Sequence, residues 1–180
     1  MIPLPSLSPT LAPLASALDQ ASHTERVNWM RGLSRKELVA IWKLAEGNPL
    51  SLDHFHGAPG EVIIHEGKNS LPAFTIFQKR FVLMGSAVQG YNEGSTRGLV
   101  GPGHFTMFQS GVESVVDYVN HPSSVPTEFP ALARNDKGIS SLVYGGTEDW
   151  CRRVSLHAII GEARRAGKPM GAYFMLVRTA

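Results

Sequence analysis

The period of the hydrophobic positions changes at Glu61. Upstream of it, apolar residues recur three or four apart, the spacing of one helix face; downstream, they mostly alternate with polar ones, the spacing of a strand. Residues 15–46 therefore predict helices. Ser22 or Thr24 suits the start of one that runs through Val27 and Met30 to Arg31, with Gly32 as its breaker. Ser34-Arg-Lys-Glu37 is a capping box, in which the serine hydroxyl and the glutamate carboxylate each accept an otherwise unpaired backbone N–H. Leu38, Ile41, Trp42 and Ala45 follow on one face, and Gly47-Asn-Pro49 ends the helix. That face is expected to pack on the main core; the alternative is that it docks a partner. The Pro- and Ser-rich residues 1–14 predict a disordered or extended tail. Residues 51–57 predict a helical turn or a loop.

From residue 61 the chain predicts short strands over 61–65, 73–83, 87–92, 104–109, 112–119, 140–144 and 172–178, punctuated by glycine-containing turns. Alternation puts Phe77, Phe81 and Leu83 on one face of the second strand and Ile76, Gln78 and Arg80 on the other. Thr147, ahead of Glu148 and Asp149, suits a helix start. That helix either runs to Arg164 and Arg165 or stops near Leu156. The shorter form is preferred because Ile159, Ile160 and Gly161 are weak helix formers; residues 157–165 then form a strand, joined by a turn at Ala166-Gly-Lys-Pro to the closing one. Residues 120–137, with three prolines, read as a long surface loop.

Helices at the N-terminus followed by a run of strands make an α+β pattern. The expected architecture is a curled antiparallel β-sheet or a small β-barrel, with the N-terminal helices packed on one end or face. After the tail, residues 15–180 form one domain, helical over 15–50 and sheet or barrel over 61–180. Strand faces that mix apolar and polar residues fit a barrel with a partly polar interior, or a sheet partly covered by helices.

A net charge of +2 and no long basic run give no reason to expect nucleic acid as a partner. With one cysteine, Cys151, no disulfide can form within the chain, and a buried inert thiol is expected. No apolar run is long enough for a membrane-spanning helix. Ala15-Ser16-Ala17 has the form of a signal-peptidase site. However, no lysine or arginine precedes Arg26, and four prolines break the apolar run, so a cytoplasmic protein is expected.

Candidate chemistry is sparse. His54-Phe-His56, with His65, has residues that suit zinc, but such a motif recurs by chance, a turn with exposed histidines is the preferred reading and no metal is expected. Gly98-Leu-Val-Gly101-Pro-Gly103 lacks the following helix that a phosphate loop requires. No cofactor motif is present. His104 is the leading candidate for a general base, with Asp117 orienting it across a hairpin that turns near Ser110-Gly111. Tyrosines on strands combine an apolar body with a polar tip and suit a pocket lining. Arg80, His104, Tyr118 and Tyr173 are accordingly the expected ligand-binding residues. The function expected is binding of a small, largely apolar or weakly acidic ligand inside the curled sheet or barrel. The alternatives are a cofactor-independent enzyme using His104 with Asp117 or a nearby carboxylate, and a protein interaction module whose contact surface is the 34–46 helix or the Pro-rich 120–137 loop, with a homo-oligomer allowed for.

Overall fold

The computed structural model describes residues 2–3, 10–72 and 75–179; half of the expected tail over 1–14, residues 1 and 4–9, lies outside them. Three helices, α1 (Ala12–Gln20), α2 (His23–Gly32) and α3 (Arg35–Leu44), precede eight strands: β1 (Val62–Asn69), β2 (Ile76–Met84), β3 (Ala87–Glu93), β4 (Phe105–Ser110), β5 (Glu113–Asp117), β6 (Thr147–Arg153), β7 (Ala158–Arg165) and β8 (Lys168–Arg178). Each strand pairs antiparallel with the next, and β8 pairs with β1, so the sheet closes into an up-and-down barrel with no free edge. The α+β architecture with N-terminal helices on the barrel is thus present, in its closed form.

The helices follow their caps. Ser22 with Glu25 and Ser34 with Glu37 both form complete capping boxes. α1 begins earlier than expected, because Pro13 lies in its first turn, where a missing N–H costs nothing. Leu14, Leu18, Val27, Met30, Leu38, Ile41 and Trp42 form one core with Ala158, Ile160, Met175 and Val177 on the outer surface of β7 and β8. The alternate residues of those strands, Ile159, Phe174 and Leu176, face the barrel interior with Phe81, Phe105 and Val116. Strands covered on both faces are nearly continuous apolar runs, which is why 158–160 and 174–177 lack clean alternation.

Two elements differ from expectation. Residues 147–153 form β6 rather than a helix. Thr147 does not cap a helix: its hydroxyl donates back to the Tyr144 carbonyl. Thr147, Asp149 and Cys151 are buried, whereas Glu148, Trp150 and Arg152 lie half-buried on the other face. The period of two is hidden because an inward position carries a charge. Residues 140–144, expected as a strand, belong largely to a short helix, α5 (Gly138–Val143); another, α4 (Arg97–Val100), lies between β3 and β4. The segment 157–165 is the preferred strand, β7, and its turn to β8 uses Ala166 and Gly167, both at positive φ.

The two barrel ends are unlike. At one end a 3-10 turn, Leu52–Phe55, inserts a fully buried Phe55 beside Phe81 and His65 and closes it. The long connections between strands emerge at the other end: 94–104 with α4, and 118–146 with α5. Part of the last connection crosses the outer wall, where Phe129 packs on Tyr91 and Val82, and Asn135 Nδ2 donates to the carbonyls of His104 and Tyr118.

Candidate functional site

The open end leads into a cavity of about 220 Å³. Its walls include Leu71, Ile76, Phe77, Tyr144, Met170 and Phe174. Glycines shape the layer beneath. A side chain at Gly161 would collide with the Phe174 ring, and one at Gly90 with the Phe105 ring, so each ring can lie against the neighbouring strand.

A charged cluster sits at the inner limit of the cavity. Lys79 projects from β2 between Phe77 and Phe81 and is 2% exposed. Its ammonium meets Asp149 Oδ2 of β6 at 3.0 Å. β2 and β6 lie four strands apart in a closed ring of eight, on opposite sides, so the pair spans the lumen. The same ammonium donates to Asn92 Oδ1 at 2.9 Å and to the Tyr118 hydroxyl in a short hydrogen bond. All three donors of the lysine are therefore used. Tyr118, Phe105, Phe174 and Phe77 surround it, with ring centroids 5.0, 5.2, 5.3 and 5.7 Å away. These aromatic faces favour a cation in a space that would otherwise penalise it.

The Tyr118 hydroxyl also accepts from Asn92 Nδ2 at 3.1 Å and lies 3.2 Å from Asp149 Oδ2, to which it can donate. Burial, reinforced by the Asp149 charge, pushes the Tyr118 phenol well above its ordinary pKa, so it stays protonated. Tyr144 stacks on Tyr118 at 5.1 Å, and burial followed by the same carboxylate pushes its phenol up to about 12. The cluster is neutral as a whole. The other carboxylate oxygen, Asp149 Oδ1, accepts no hydrogen bond among the described residues, although Asp149 lines the cavity.

No protein-family model, curated protein or solved structure matches the chain. The site's chemistry must be read from its own geometry.

Of the residues selected from sequence, Tyr118 lies in this cluster. Arg80, His104 and Tyr173 do not line the cavity. Arg80 donates to Gln78 Oε1 and lies over the Tyr91 ring, outside the barrel. Tyr173 packs near Trp42 of α3. His104 is buried under the 118–146 connection with Nε2 near the Ala131 carbonyl, and burial lowers its pKa. The Asp117 carboxylate accepts the backbone N–H groups of Val119 and Asn120 and the Asn120 side-chain amide, and no hydrogen bond joins it to His104 among the described residues. Lys79 and Asp149 escaped sequence reasoning. The signal for Lys79 was present, since a period of two places it on the Phe77–Phe81 face. Asp149 was concealed by the helix expected over its segment.

The histidine group divides. His54 and His65 meet at the closed end, ring centroids 5.4 Å apart, while His56 contacts Asp53 and the Gly57 carbonyl. Among the described residues no cluster of three or more His, Cys, Asp or Glu side chains suits a metal ion. Burial, followed by the charge of Arg178, drives the His54 pKa down to about 3, and burial holds His65 well below the ordinary range. Both rings are neutral parts of the plug. Burial raises the Cys151 thiol well above its usual pKa and keeps it unreactive.

Proposed function

We propose that the protein binds a small, largely apolar ligand that carries one hydrogen-bond donor, held in the open half of the barrel. The observation that carries this reading is the unpartnered Asp149 Oδ1 at the inner limit of a largely apolar cavity whose buried ammonium, Lys79, already has all its donors used. A hydroxyl or N–H entering the cavity finds a carboxylate acceptor, and the rest of the molecule finds aromatic and aliphatic walls. This division suits ligand pockets generally, where apolar surface supplies affinity and a few polar groups fix orientation. Weakly acidic donors such as alcohols and phenols fit; a carboxylate head would face Asp149 itself. A dry cavity of about 150 Å³ holds benzene, so 220 Å³ suits one or two small rings.

Calorimetric titration with naphthol and with methylnaphthalene tests the reading, because the two differ only in the donor. A hydrogen bond to a charged acceptor contributes about 1.5–3 kcal/mol. Naphthol is therefore expected to bind at least about tenfold more tightly. Equal binding would remove the role of Asp149, and binding of neither would count against the pocket. Of the rival readings, an enzyme using His104 and Asp117 needs the two groups to converge, and Asp117 is committed elsewhere. An interaction module using α3 needs Leu38, Ile41 or Trp42 on the surface, and all three are buried against the barrel.

A further inference from the structure

Six large apolar side chains are exposed around the open end: Leu71, Ile76, Leu99, Ile139, Leu142 and Met170. Four of them, Leu71, Ile76, Leu142 and Met170, also line the cavity. Leu99 and Ile139 lie on α4 and α5, which pack against each other beside it. Isolated apolar residues on a surface are ordinary, but a group that converges on one opening marks a contact site.

The charges around this opening are unequal. Two of its acids have a cationic partner, Glu93 with Arg97 at 2.8 Å and Asp136 with Arg134, and Glu148 accepts only the neutral Trp150 indole N–H at 3.0 Å. Lys68, Lys137, Arg165 and Lys168 have no carboxylate partner among the described residues. The Arg165 guanidinium instead donates to the Leu142 carbonyl at 3.0 Å, which places a cation directly beside the most exposed leucine of the rim.

We propose that the open end docks on an anionic lipid surface, with the leucine-rich rim in the headgroup boundary and the basic residues against the lipid phosphates and carboxylates. Apolar insertion combined with basic flanks is the general requirement for reversible attachment to such a surface. The cavity opens through the same rim, so an apolar ligand passes between bilayer and barrel without crossing water. That purpose rests on the ligand-binding reading; the docking itself rests on the rim. A protein partner has less support, because the patch is divided among separate loops around a hole and offers no continuous face.

Sedimentation with vesicles of phosphatidylcholine plus phosphatidylserine, compared with phosphatidylcholine alone, tests it. The wild-type protein is expected to pellet with the anionic vesicles, and added salt is expected to weaken this. The double variant Lys137→Gln/Lys168→Gln should lose about fivefold for each charge removed. Leu99→Gln/Leu142→Gln should also lose binding, while Leu156→Gln, at the closed end, should not. All of these side chains are exposed, so the variants should fold. A wild-type protein that stays in the supernatant would overturn the proposal. So would loss in the lysine variant alone, equal loss in Leu156→Gln, or a dimer that the leucine variant abolishes. Naphthol titration without vesicles reads the cavity separately, so either claim can fail while the other stands.

Discussion

Replacing Lys79 by Met leaves a buried chain of polar groups without its cation. Asp149 then has no counter-charge within a lumen lined by Phe77, Phe105 and Phe174, and it must either remain ionised there or take up a proton. Removing one partner of a buried pair costs about 3–5 kcal/mol. The upper half of that range is expected, because Lys79 is 2% exposed and its loss also strips a donor from Asn92 and from Tyr118. Asp149→Leu should cost a similar amount by stranding the ammonium. The double variant Lys79→Met/Asp149→Leu replaces the pair by apolar groups of similar bulk and is expected to cost no more than either single change. The coupling energy is then at least about 4 kcal/mol, above the range usual for contacting residues. Urea unfolding followed by tryptophan fluorescence measures it, since Trp29, Trp42 and Trp150 all lie outside the lumen and report global unfolding. With a slope of about 2 kcal/mol per molar, each single variant should lose roughly 2 M in midpoint. Single variants costing under about 1 kcal/mol, or a double variant costing their sum, would refute a strut across the lumen.

Acid should weaken the closed end. The buried His54 and His65 have folded pKa values below the unfolded value of about 6.5, so between those limits the unfolded chain binds more protons. Their contribution is complete above about pH 6.5 and falls with pH by about 1.4 kcal/mol per unit for each histidine. Urea midpoints measured down to about pH 5 should show this slope, and His65→Leu should reduce it by about one proton; an unchanged slope would contradict the burial argument. Gly161→Val should push the Phe174 ring toward the cavity, lowering stability by about 1–3 kcal/mol and weakening naphthol binding; calorimetry that finds wild-type affinity would show that the ring has room. Ser34→Ala removes the cap of α3 and should cost about 1 kcal/mol in urea unfolding with naphthol affinity unchanged, and a loss of affinity would mean that α3 reaches the cavity.

The parts of the fold that were legible are those set locally. The capping box at Ser34, the hairpin turn near Ser110-Gly111, and the alternation that puts Phe77 and Phe81 on one face depend on neighbours in sequence. Tyr118 was legible for the same reason, since it alternates with Val116 toward the lumen. Closure was not, because the pairing of Gly67 with Leu176 joins residues far apart in sequence, and no local period encodes it. The candidate site was harder still. A closed lumen reverses the usual rule that charges face water, so Lys79 and Asp149 look like surface residues in a one-dimensional pattern. Arg80, His104 and Tyr173 have the side chains a site would use, but the outer face of the wall carries them, under a loop or a helix. Only the ring of strands shows that β2 and β6 face each other.

Native mass spectrometry of gently purified protein, followed by denaturation and extraction, tests the central claim most directly. The comparison is wild type against Ala163→Trp, which fills the cavity from β7. The account predicts a stoichiometric small-molecule mass on the wild-type protein, released on denaturation and carrying a hydroxyl or N–H, and its absence from the folded variant. A wild-type protein that purifies as a bare chain and gains no mass when naphthol is added, or a variant that keeps the same passenger, would contradict it.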